Sequence, residues 1–411
     1  MFGTDEQGAS MSATSCDVLI AGGGMVGAAL ALSLARGGLA VALVELRPPT
    51  PFAPDSGHDL RVSAINRASQ RLFRALGVWE GMRAMRVSPY QAMEVWDAGG
   101  SGCIRFEARE LGEPDLGHII ENRVVQRALW DALDAAPGVT RFCPDAVTHL
   151  DIGAREARVT LESGARITTS LVVGADGARS RIREMAGIDL DSRRYGQQAL
   201  VATVRTALPH QETAWQRFLP TGPLAFLPLS DGRCSVVWSA DDERAEQLRD
   251  LDDVAFREAL AEGLDHRLGA VVESSQRAAF PLRGSQARHY VRPRLALVGD
   301  AAHTIHPLAG QGVNLGFQDA RALAGVLLHG AVGDPGEFRV LRRYERARRG
   351  DNVIMMRAME CFRYGFGSAL PPLALGRNLG LMLADRAGPL KRTLARRALG
   401  LDSPNLPYSP G

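Results

Sequence analysis

The strongest pattern in the chain is an uncharged run over residues 18–35. A run of this length is close to the roughly 18 apolar residues at which a membrane span has to be considered. Its internal order indicates something else, because a short apolar strand leads into a glycine-rich turn and then into a helix of small residues that ends at Gly37. A second apolar strand at 40–44 ends in Glu45, so the run predicts a strand–helix–strand unit. Acidic residues precede the run where a signal peptide would carry basic ones, which argues against export.

The rest of the chain divides according to the spacing of its apolar residues. Helical spacing predicts helices at 61–76, 123–135 and 252–264, and a mainly helical region after residue 310. Alternation predicts a hairpin of strands at 158–161 and 166–173, several short strands within 191–290, and a buried strand near Leu295.

These elements predict an α/β protein in which a strand-rich domain is inserted into a nucleotide-binding domain. We expect a flexible leader at 1–14 and a helical carboxy-terminal region at 336–411. The predicted segments are 15–75, 118–190 and 291–335 for the nucleotide-binding domain, and 76–117 and 191–290 for the inserted substrate domain.

The composition argues against several classes of protein. Hydrophobic residues make up 45% of the chain and charged residues 23%, the values of an ordinary globular protein, which exclude a disordered or fibrous chain. The 48 basic and 46 acidic side chains nearly balance, so we expect no nucleic-acid partner. The five cysteines show no Cys-x-x-Cys spacing, which disfavours a structural zinc site or a disulfide framework and fits a cytoplasmic protein.

The near-neutral total conceals a basic segment at the carboxy-terminal end. No acidic residue occurs from 387 to 401, whereas Lys391, Arg392, Arg396 and Arg397 all lie in this stretch. A basic amphipathic helix can bind anionic lipid or an acidic partner. The alternative is an ordinary solvated helix that covers the nucleotide-binding domain, and the sequence leaves both open.

The glycine turn has the spacing of a dinucleotide-binding site. Gly22 permits the tight turn, Gly24 lets the backbone approach a pyrophosphate, and Gly27 lets helix and strand pack closely. The free N–H groups at the helix start favour bound phosphate. Glu45, about 20 residues farther on, is placed to accept hydrogen bonds from a ribose.

Two later motifs have the same form, a buried strand that ends in Asp and glycine. One contains Asp176 and Gly177, and the other runs from Gly299 to Asp319. Such a turn on its own is usually only a turn. Here both follow strands that we expect to end at the ligand-binding edge of an open α/β sheet.

Together these motifs resemble the flavin aromatic hydroxylases of the p-hydroxybenzoate hydroxylase type, and most of all the ubiquinone-biosynthesis hydroxylases. Their signature His-Pro-aliphatic-small-Gly-Gln-Gly-x-Asn-x-Gly-x-x-Asp is matched at every position over 306–319. The stretches 117–129 and 61–65 are similar to the same group. The resemblance implies an FAD-binding Rossmann-like domain with an inserted β-sheet substrate domain and a helical carboxy-terminal region.

The resemblance also implies roles for individual residues. Gly22, Gly24 and Gly27 would hold the FAD pyrophosphate and Glu45 the adenosine ribose. Arg61 would lie near the access face of the flavin. The other implied FAD contacts are Arg123 and Gln126 after Asn122, Asp176 and Gly177 (which would also meet the nicotinamide), Asp300 at the ribityl or pyrophosphate region, and Pro307, Gly310, Gln311, Gly312, Val313 and Asn314 around the isoalloxazine.

The implied reaction is hydroxylation of a polyprenylated phenol ring in ubiquinone biosynthesis. NAD(P)H would reduce FAD, O2 would form a hydroperoxide at the flavin C4a, and its distal oxygen would pass to the ring. The first interpretation is 2-polyprenylphenol hydroxylation at C5. The alternatives are a 2-polyprenyl-6-methoxyphenol hydroxylase, a hydroxylase of a soluble aromatic compound, and a non-catalytic flavin-bound assembly subunit.

Catalytic side chains are the least determined part of this prediction. Arg61, His306 and Pro307 are candidates at the flavin, and His306, Tyr195 or a water chain could deprotonate a phenol. His303 and His306 lack a third ligand, so we expect no metal. Apolar stretches at 224–229 and 234–238 are candidates for a dry substrate pocket, although plain core strands explain them equally well. The implied partners are the hydrophobic phenol, O2, other ubiquinone-biosynthesis proteins and, through the tail, the inner membrane surface.

Overall fold

The computed structural model describes residues 14–100, 102–305, 312–329, 333–367 and 388–401. The strands in these ranges are, in chain order, β1 (Thr14–Ala21), β2 (Val41–Val44), β3 (Val62–Asn66), β4 (Ser88–Tyr90), β5 (Ala92–Asp97), β6 (Cys103–Glu107), β7 (Gly117–Glu121), β8 (Val139–Phe142), β9 (Val147–Ile152), β10 (Ala157–Leu161), β11 (Arg166–Gly174), β12 (Leu190–Thr206), β13 (Thr213–Leu219), β14 (Gly222–Pro228), β15 (Cys234–Asp241), β16 (Val271–Ser274), β17 (Ala278–Ala287), β18 (Val291–Arg292), β19 (Leu295–Leu297) and β20 (His303–Thr304). The helices are α1 (Met25–Arg36), α2 (Arg67–Ala75), α3 (Trp79–Met85), α4 (Asn122–Asp134), α5 (Arg181–Met185), α6 (Asp242–Asp250), α7 (Asp253–Gly263), α8 (Gly312–Leu328), α9 (Phe338–Gly367) and α10 (Gly388–Ala398), with 3-10 turns at Ala108–Leu111 and Gly299–Ala301.

A parallel sheet brings three strand ends side by side. In this sheet β1 pairs with β2 on one side and with β11 on the other, and β11 pairs with β19, all in parallel. The register aligns Ala21 of β1 with Gly174 of β11, and Gly174 with Leu297 of β19. The turns that follow these three strands therefore lie together at one edge of the sheet.

Small residues allow α1 to lie close to β1 and to α8. A side chain at Gly27 would overlap the carbonyl oxygen of Gly22, and a Cβ on Gly316 of α8 would lie 2.6 Å from Val26 Cγ2. The leucines of α1 are buried in the core between the sheet and the neighbouring helices. The uncharged run at 18–35 is therefore a core segment, and no helix in the described ranges is long and apolar enough to cross a membrane.

A nine-stranded sheet, mostly antiparallel, forms the second layer of the molecule. Side chains of β14 alternate between its two faces, as expected for a strand with period two. Leu224 and Phe226 pack in a core with Trp238 of β15 and the apolar residues of α6 and α7. Ala225 and Leu227 face the other way, toward residues of a small third sheet formed by β3, β7 and β4.

The end of the chain packs on this third sheet. Leu399 and Leu401, just beyond α10, are buried in the same apolar cluster as Ile119 of β7. The backbone N–H of Ala68 donates to the Leu399 carbonyl at 3.2 Å, and Lys391 Nζ lies 3.2 Å from Glu110 Oε2. The helix therefore covers the body of the protein, while Arg392 and Arg396 remain exposed.

The predicted helix at 61–76 is wrong over its first part. Residues 62–66 form β3, which pairs antiparallel with β7. The helix starts only at Arg67 because Asn66 is its N-cap and its side-chain oxygen accepts from Ser69 N at 3.0 Å. The predicted helices near 123–135 and 252–264 and the 158–173 hairpin are present, with ends that differ by one or two residues.

The structure also bears on the predicted domain boundary near residue 76. Trp79 and Met82 of α3 are buried in the same core as Leu72 of α2 and Val124 of α4. We therefore propose that the segment up to Met85 belongs with the nucleotide-binding domain. The segments 92–107 and 190–287 supply most of the nine-stranded sheet.

Candidate active site

A cleft of about 400 Å³ opens where the three strand-end turns meet. It contains residues from each of the motifs singled out in the sequence, since Gly24, Gly177, Asp300, Gly312 and Val313 all line it. These residues are far apart in the chain. The parallel register of β1, β11 and β19 is what brings them together.

The three glycines of the first turn have different surroundings. Gly22 has a φ of +105°, and a side chain there would overlap the backbone of Ala175. Gly27 is held against Gly22, as described above. A Cβ on Gly24 would meet no atom of the described residues within 4 Å, so among these residues it faces open space in the cleft. The open approach at Gly24 is what a pyrophosphate at the start of α1 requires.

Side chains from two directions hold this turn in place. Glu45 Oε2 accepts from Gly23 N at 2.5 Å, and its other oxygen accepts from Arg47 N at 3.0 Å. On the other side, Gln126 Nε2 and Trp130 Nε1 of α4 donate to the Gly23 carbonyl at 3.2 and 2.8 Å. Glu45 and Gln126 therefore lie at the turn, as the resemblance implies, and their contact with FAD stays a prediction.

Two buried oxygen atoms at the cleft lack partners within the described part of the chain. Asp176 Oδ2 accepts from Ile182 N at 3.1 Å, but its Oδ1 has no hydrogen-bond partner. Thr304 Oγ1, in the cleft wall, is also unpaired. Buried polar atoms without partners are costly, so both are positioned for a polar ligand.

Asp300 adds a carboxyl group to the same cleft. Its side chain is open to solvent inside the cleft, yet protein surrounds it on most sides. This enclosure raises the pKa of Asp300, against the opposing effect of the nearby His303 and Arg61 charges. A carboxyl group accepts hydrogen bonds at both oxygens, which suits contact with ligand hydroxyls.

The site fits a flavin dinucleotide. The open backbone at Gly24, the unpaired oxygens of Asp176 and Thr304 and the carboxyl of Asp300 offer a phosphate cradle followed by partners for hydroxyl groups. A family model described as an FAD binding domain matches residues 15–357, which is most of the chain.

The chain is a member of this FAD-binding family.

Curated relatives show which members of this family are similar to the chain. The chain is 45% identical to 3-demethoxyubiquinol 3-hydroxylase of Escherichia coli over 94% of this chain and 98% of that protein. It is 38% identical to ubiquinone hydroxylase UbiL of Rhodospirillum rubrum over 93% of this chain and 89% of that protein. The protein therefore belongs with the ubiquinone-biosynthesis hydroxylases, and the expected enzyme class, a flavin-dependent monooxygenase with bound FAD and NAD(P)H as co-substrate, is confirmed.

Solved structures support the fold of this flavin monooxygenase. p-Nitrophenol 4-monooxygenase PnpA of Pseudomonas putida superposes with a TM-score of 0.76 over 94% of this chain and 98% of that chain. The two sequences are only 19% identical, so this likeness concerns the fold alone. The predicted fold class of an FAD-binding domain combined with a β-sheet domain is confirmed.

The other wall of the monooxygenase cleft comes from β3 and the start of α4, which lie in stretches similar to the family, and from β17, which the sequence did not indicate. Ser63 of β3 donates to Asn122 Oδ1 at 2.7 Å, and both residues line the cleft. Across from them lie residues 281–283 of β17. They were missed because β17 has no recognisable motif and reaches the cleft only through its pairing with β12.

Arg123 is engaged in a different contact from the predicted one. Its guanidinium donates to Glu121 Oε1 at 2.7 Å, to Ser56 Oγ at 3.0 Å and to the Gly57 carbonyl at 2.6 Å. It thus ties down the loop that precedes Arg61 and does not line the cleft. Its direct contact with FAD remains a prediction that this arrangement does not support.

Asn314 is buried, and its side chain is occupied by protein partners. Oδ1 accepts from Asn66 N at 3.1 Å and from Ser69 Oγ at 2.8 Å, and Nδ2 donates to the Ala64 carbonyl at 2.7 Å. The side chain therefore joins α8 to β3 and α2. A contact with the flavin ring would have to come from the Asn314 backbone.

Several predicted positions do not reach the cleft or cannot be placed. His306, Pro307, Gly310 and Gln311 lie outside the described residues. Tyr195 packs with Ala199 and Leu282 and does not line the cleft. Of the two apolar stretches proposed for the substrate pocket, neither contributes to this cleft, whose wall on that side comes from β17.

His303, the one described residue of the His303–His306 pair, has a carboxylate partner. His303 Nε2 lies 2.5 Å from the buried carboxylate of Asp319. Within the described ranges, no group of three or more His, Cys, Asp and Glu side chains is arranged to hold a metal ion.

Proposed function

We propose that this monooxygenase hydroxylates the ring of a polyprenylated ubiquinone precursor that already carries a methoxy group. The observation that carries this proposal is the 45% identity to the E. coli relative named for 3-demethoxyubiquinol, over nearly the whole of both chains. It favours the 6-methoxyphenol alternative over the first interpretation, hydroxylation at C5 of a ring without methoxy groups.

Some cleft residues would bind FAD, and others would orient it or keep water away. Bound FAD, reduced by NAD(P)H, supplies the oxygen chemistry. Gly22–Gly27 and Asp176 would hold the dinucleotide, and Asp300 and Thr304 would fix its hydroxyl-bearing part. Val62, Pro281 and Leu282 form an apolar wall that would keep water from the reacting ring.

Exposed arginines at the rim of the cleft support a proposal for the docking site of the pyridine nucleotide. Arg61 and Arg283 line the cleft, are exposed and have no carboxylate within 4 Å among the described residues. Arg194 of β12 lies directly opposite Arg283 of β17 in the antiparallel register. Like charges in facing positions of two strands repel each other, so an anion placed between them is stabilised. We infer that this rim receives the NAD(P)H pyrophosphate.

Arg283→Ala is expected to raise the KM for NAD(P)H about tenfold, because one charge-assisted contact is worth roughly 1.4 kcal/mol or more. FAD affinity and kcat at saturating NAD(P)H should change little. Steady-state kinetics with purified enzyme measure the effect. Arg288→Ala is the matched control, since Arg288 is also exposed but already paired with Asp189 and Asp191. Equal KM values for NAD(P)H in the two variants would show that Arg283 does not contact the pyridine nucleotide.

The membrane partner stays a prediction. The packing of α10 on the third sheet corresponds to the alternative of a covering helix, yet Arg392 and Arg396 remain on its exposed face. Exposed positive charge on this helix would be attracted to an anionic lipid surface. A hydrophobic substrate drawn from that surface would be consistent with the apolar cluster beneath the helix.

The proposed reaction is tested with two short-chain substrates and the FAD-loaded enzyme. We expect a demethoxyubiquinol to stimulate NAD(P)H oxidation and to gain one oxygen atom by mass spectrometry. A strain lacking the gene should accumulate the methoxylated precursor. Turnover of an unmethoxylated polyprenylphenol alone would restore the C5 interpretation, and stimulation only by small phenols would indicate a soluble substrate. FAD binding without stimulation by any phenol would favour the assembly subunit.

A further inference from the structure

A buried charged cluster lies directly beneath the turn that carries Asp300. Its centre is Asp319 of α8, whose side chain is fully buried. Asp319 Oδ2 lies 2.5 Å from His303 Nε2 and accepts from Gly299 N at 3.1 Å. Oδ1 accepts from Arg348 Nε at 2.8 Å and from Asn352 Nδ2 at 3.2 Å. Four donors thus surround one carboxylate.

The ionised state of Asp319 follows from these partners. Burial alone would raise its pKa, but His303 and Arg348 lower the pKa below its ordinary value. An ionised carboxylate only accepts hydrogen bonds, so His303 Nε2 must be the donor. Both lone-pair regions of Oδ2 are then used to hold the protein backbone and the His303 ring.

Asp319 therefore fixes both ends of the turn formed by residues 299–303, which we call the cofactor turn. Gly299 and His303 are the two sides of the turn, and Asp300 lies between them with its carboxyl in the cleft. Thr304, the next residue, bears one of the unpaired oxygens of the cleft wall. The position of both polar groups therefore depends on a residue that does not itself line the cleft.

Arg348 binds Oδ1 of Asp319, the carboxylate oxygen that does not contact the cofactor turn. Its three nitrogens have three different partners: Nε binds Asp319, Nη1 lies 3.2 Å from Asp351 Oδ2, and Nη2 donates to Asn352 Oδ1 at 2.8 Å. A planar guanidinium can make these contacts together, whereas a lysine ammonium offers one compact charge. Only 6% of the Arg348 side chain is exposed, so solvent cannot replace it.

Tyr290 contacts two members of the cluster. It stacks on His303 with ring centroids 5.8 Å apart, and its hydroxyl lies 3.4 Å from Asn352 Nδ2 and accepts from Gln286 Nε2 at 2.9 Å. Hydrogen bonds that share partners in a buried network polarise one another, so loss of one member affects the others.

We propose that Arg348 is a positioning residue for the flavin, which acts through Asp319 and His303 to fix the turn that presents Asp300 and Thr304 to FAD. Neither Arg348 nor Asp319 lines the cleft, and none of the predicted cofactor contacts includes either residue. The inference depends on bound FAD and is independent of which phenol the enzyme hydroxylates.

Arg348→Met tests this inference in the full-length protein, with Arg348→Lys and Arg349→Met beside it. Arg349 is the exposed neighbour in α9 and makes no ion pair with a described residue. FAD affinity is measured by fluorescence titration of the apoprotein, and the bound flavin by its absorption spectrum and midpoint potential. We expect at least tenfold weaker FAD binding and a shifted potential in Arg348→Met, partial recovery in Arg348→Lys, and no change in Arg349→Met.

Folding is measured separately by urea unfolding of each apoprotein. An Arg348→Met protein that is folded, binds FAD within twofold of the parent and keeps its potential would overturn the inference. If this variant does not fold, Asp319→Asn takes its place, because it keeps the shape and removes the charge. Failure of both to fold while Arg349→Met folds would show that the cluster determines folding only, and the inference would be wrong.

Discussion

Gly24→Val is expected to abolish FAD binding and hydroxylation while the apoprotein stays folded. A Cβ at this position meets no atom of the described residues within 4 Å, so this part of the apoprotein leaves room for the new side chain. Gly24 is the N-cap of α1 with ordinary extended backbone angles, and valine there costs about 1 kcal/mol of folding free energy. The added side chain would occupy the space in which the pyrophosphate approaches the helix start. We expect FAD affinity to fall at least 100-fold, measured by titration of the apoprotein.

Gly22→Val is the matched comparison, because it lies in the same turn and should fail for a different reason. A side chain at Gly22 overlaps the backbone of Ala175, and the φ of +105° is strained for any residue with a Cβ. The apoprotein itself should lose stability by several kcal/mol, as seen in urea unfolding. Normal FAD binding by Gly24→Val would place the pyrophosphate elsewhere in the cleft.

Asn314→Ala is expected to give the largest loss of stability among the polar residues near the cleft. It removes the partner of Asn66 N, Ser69 Oγ and the Ala64 carbonyl, all of which are buried. An unsatisfied buried polar group costs about 1–3 kcal/mol, and some of the three will find water, so we expect a loss of about 3 kcal/mol or more. Urea unfolding of the apoprotein measures this change.

Ser69→Ala provides the control for this prediction. It removes one donor to Asn314, whose Oδ1 still accepts from Asn66 N. We expect a loss of about 1 kcal/mol. If both variants lost the same stability, the link between α8 and β3 would not depend on Asn314. FAD affinity should fall in Asn314→Ala as well, because Val313 and Ser63 line the cleft on either side of this link.

The location of the cofactor cleft could be predicted because it depends on local motifs. The spacing of Gly22, Gly24 and Gly27 indicates the turn from a single strand–turn–helix unit, in which Gly27 packs against Gly22, although Gly22 is also constrained by the distant backbone of Ala175. Asp176 and Asp300 could be predicted for a related reason, since each follows a buried strand and parallel strands end at a common edge. Apolar patterns that are local in the chain therefore predicted the architecture.

The errors arose where the partner of a residue is distant in sequence. The segment at 61–66 has helical spacing, but pairing with β7 some 55 residues away makes it a strand, with Asn66 starting the helix late. The contact of Arg123 with FAD stays a prediction, but the sequence did not show that Glu121 and the loop at Ser56 and Gly57 bind its guanidinium. Propensity cannot include such competing partners, because they depend on the folded chain.

The sequence by itself determined that residues 18–35 form part of a dinucleotide-binding core, that the protein carries FAD, and that its signature resembles the ubiquinone-biosynthesis hydroxylases. Only the tertiary structure decided that β17 forms the opposite wall of the cleft and that Arg348 reaches Asp319 beneath the cofactor turn. The reason is physical. A glycine turn is specified by backbone sterics within a few residues, whereas a buried ion pair between two helices is specified by how those helices pack.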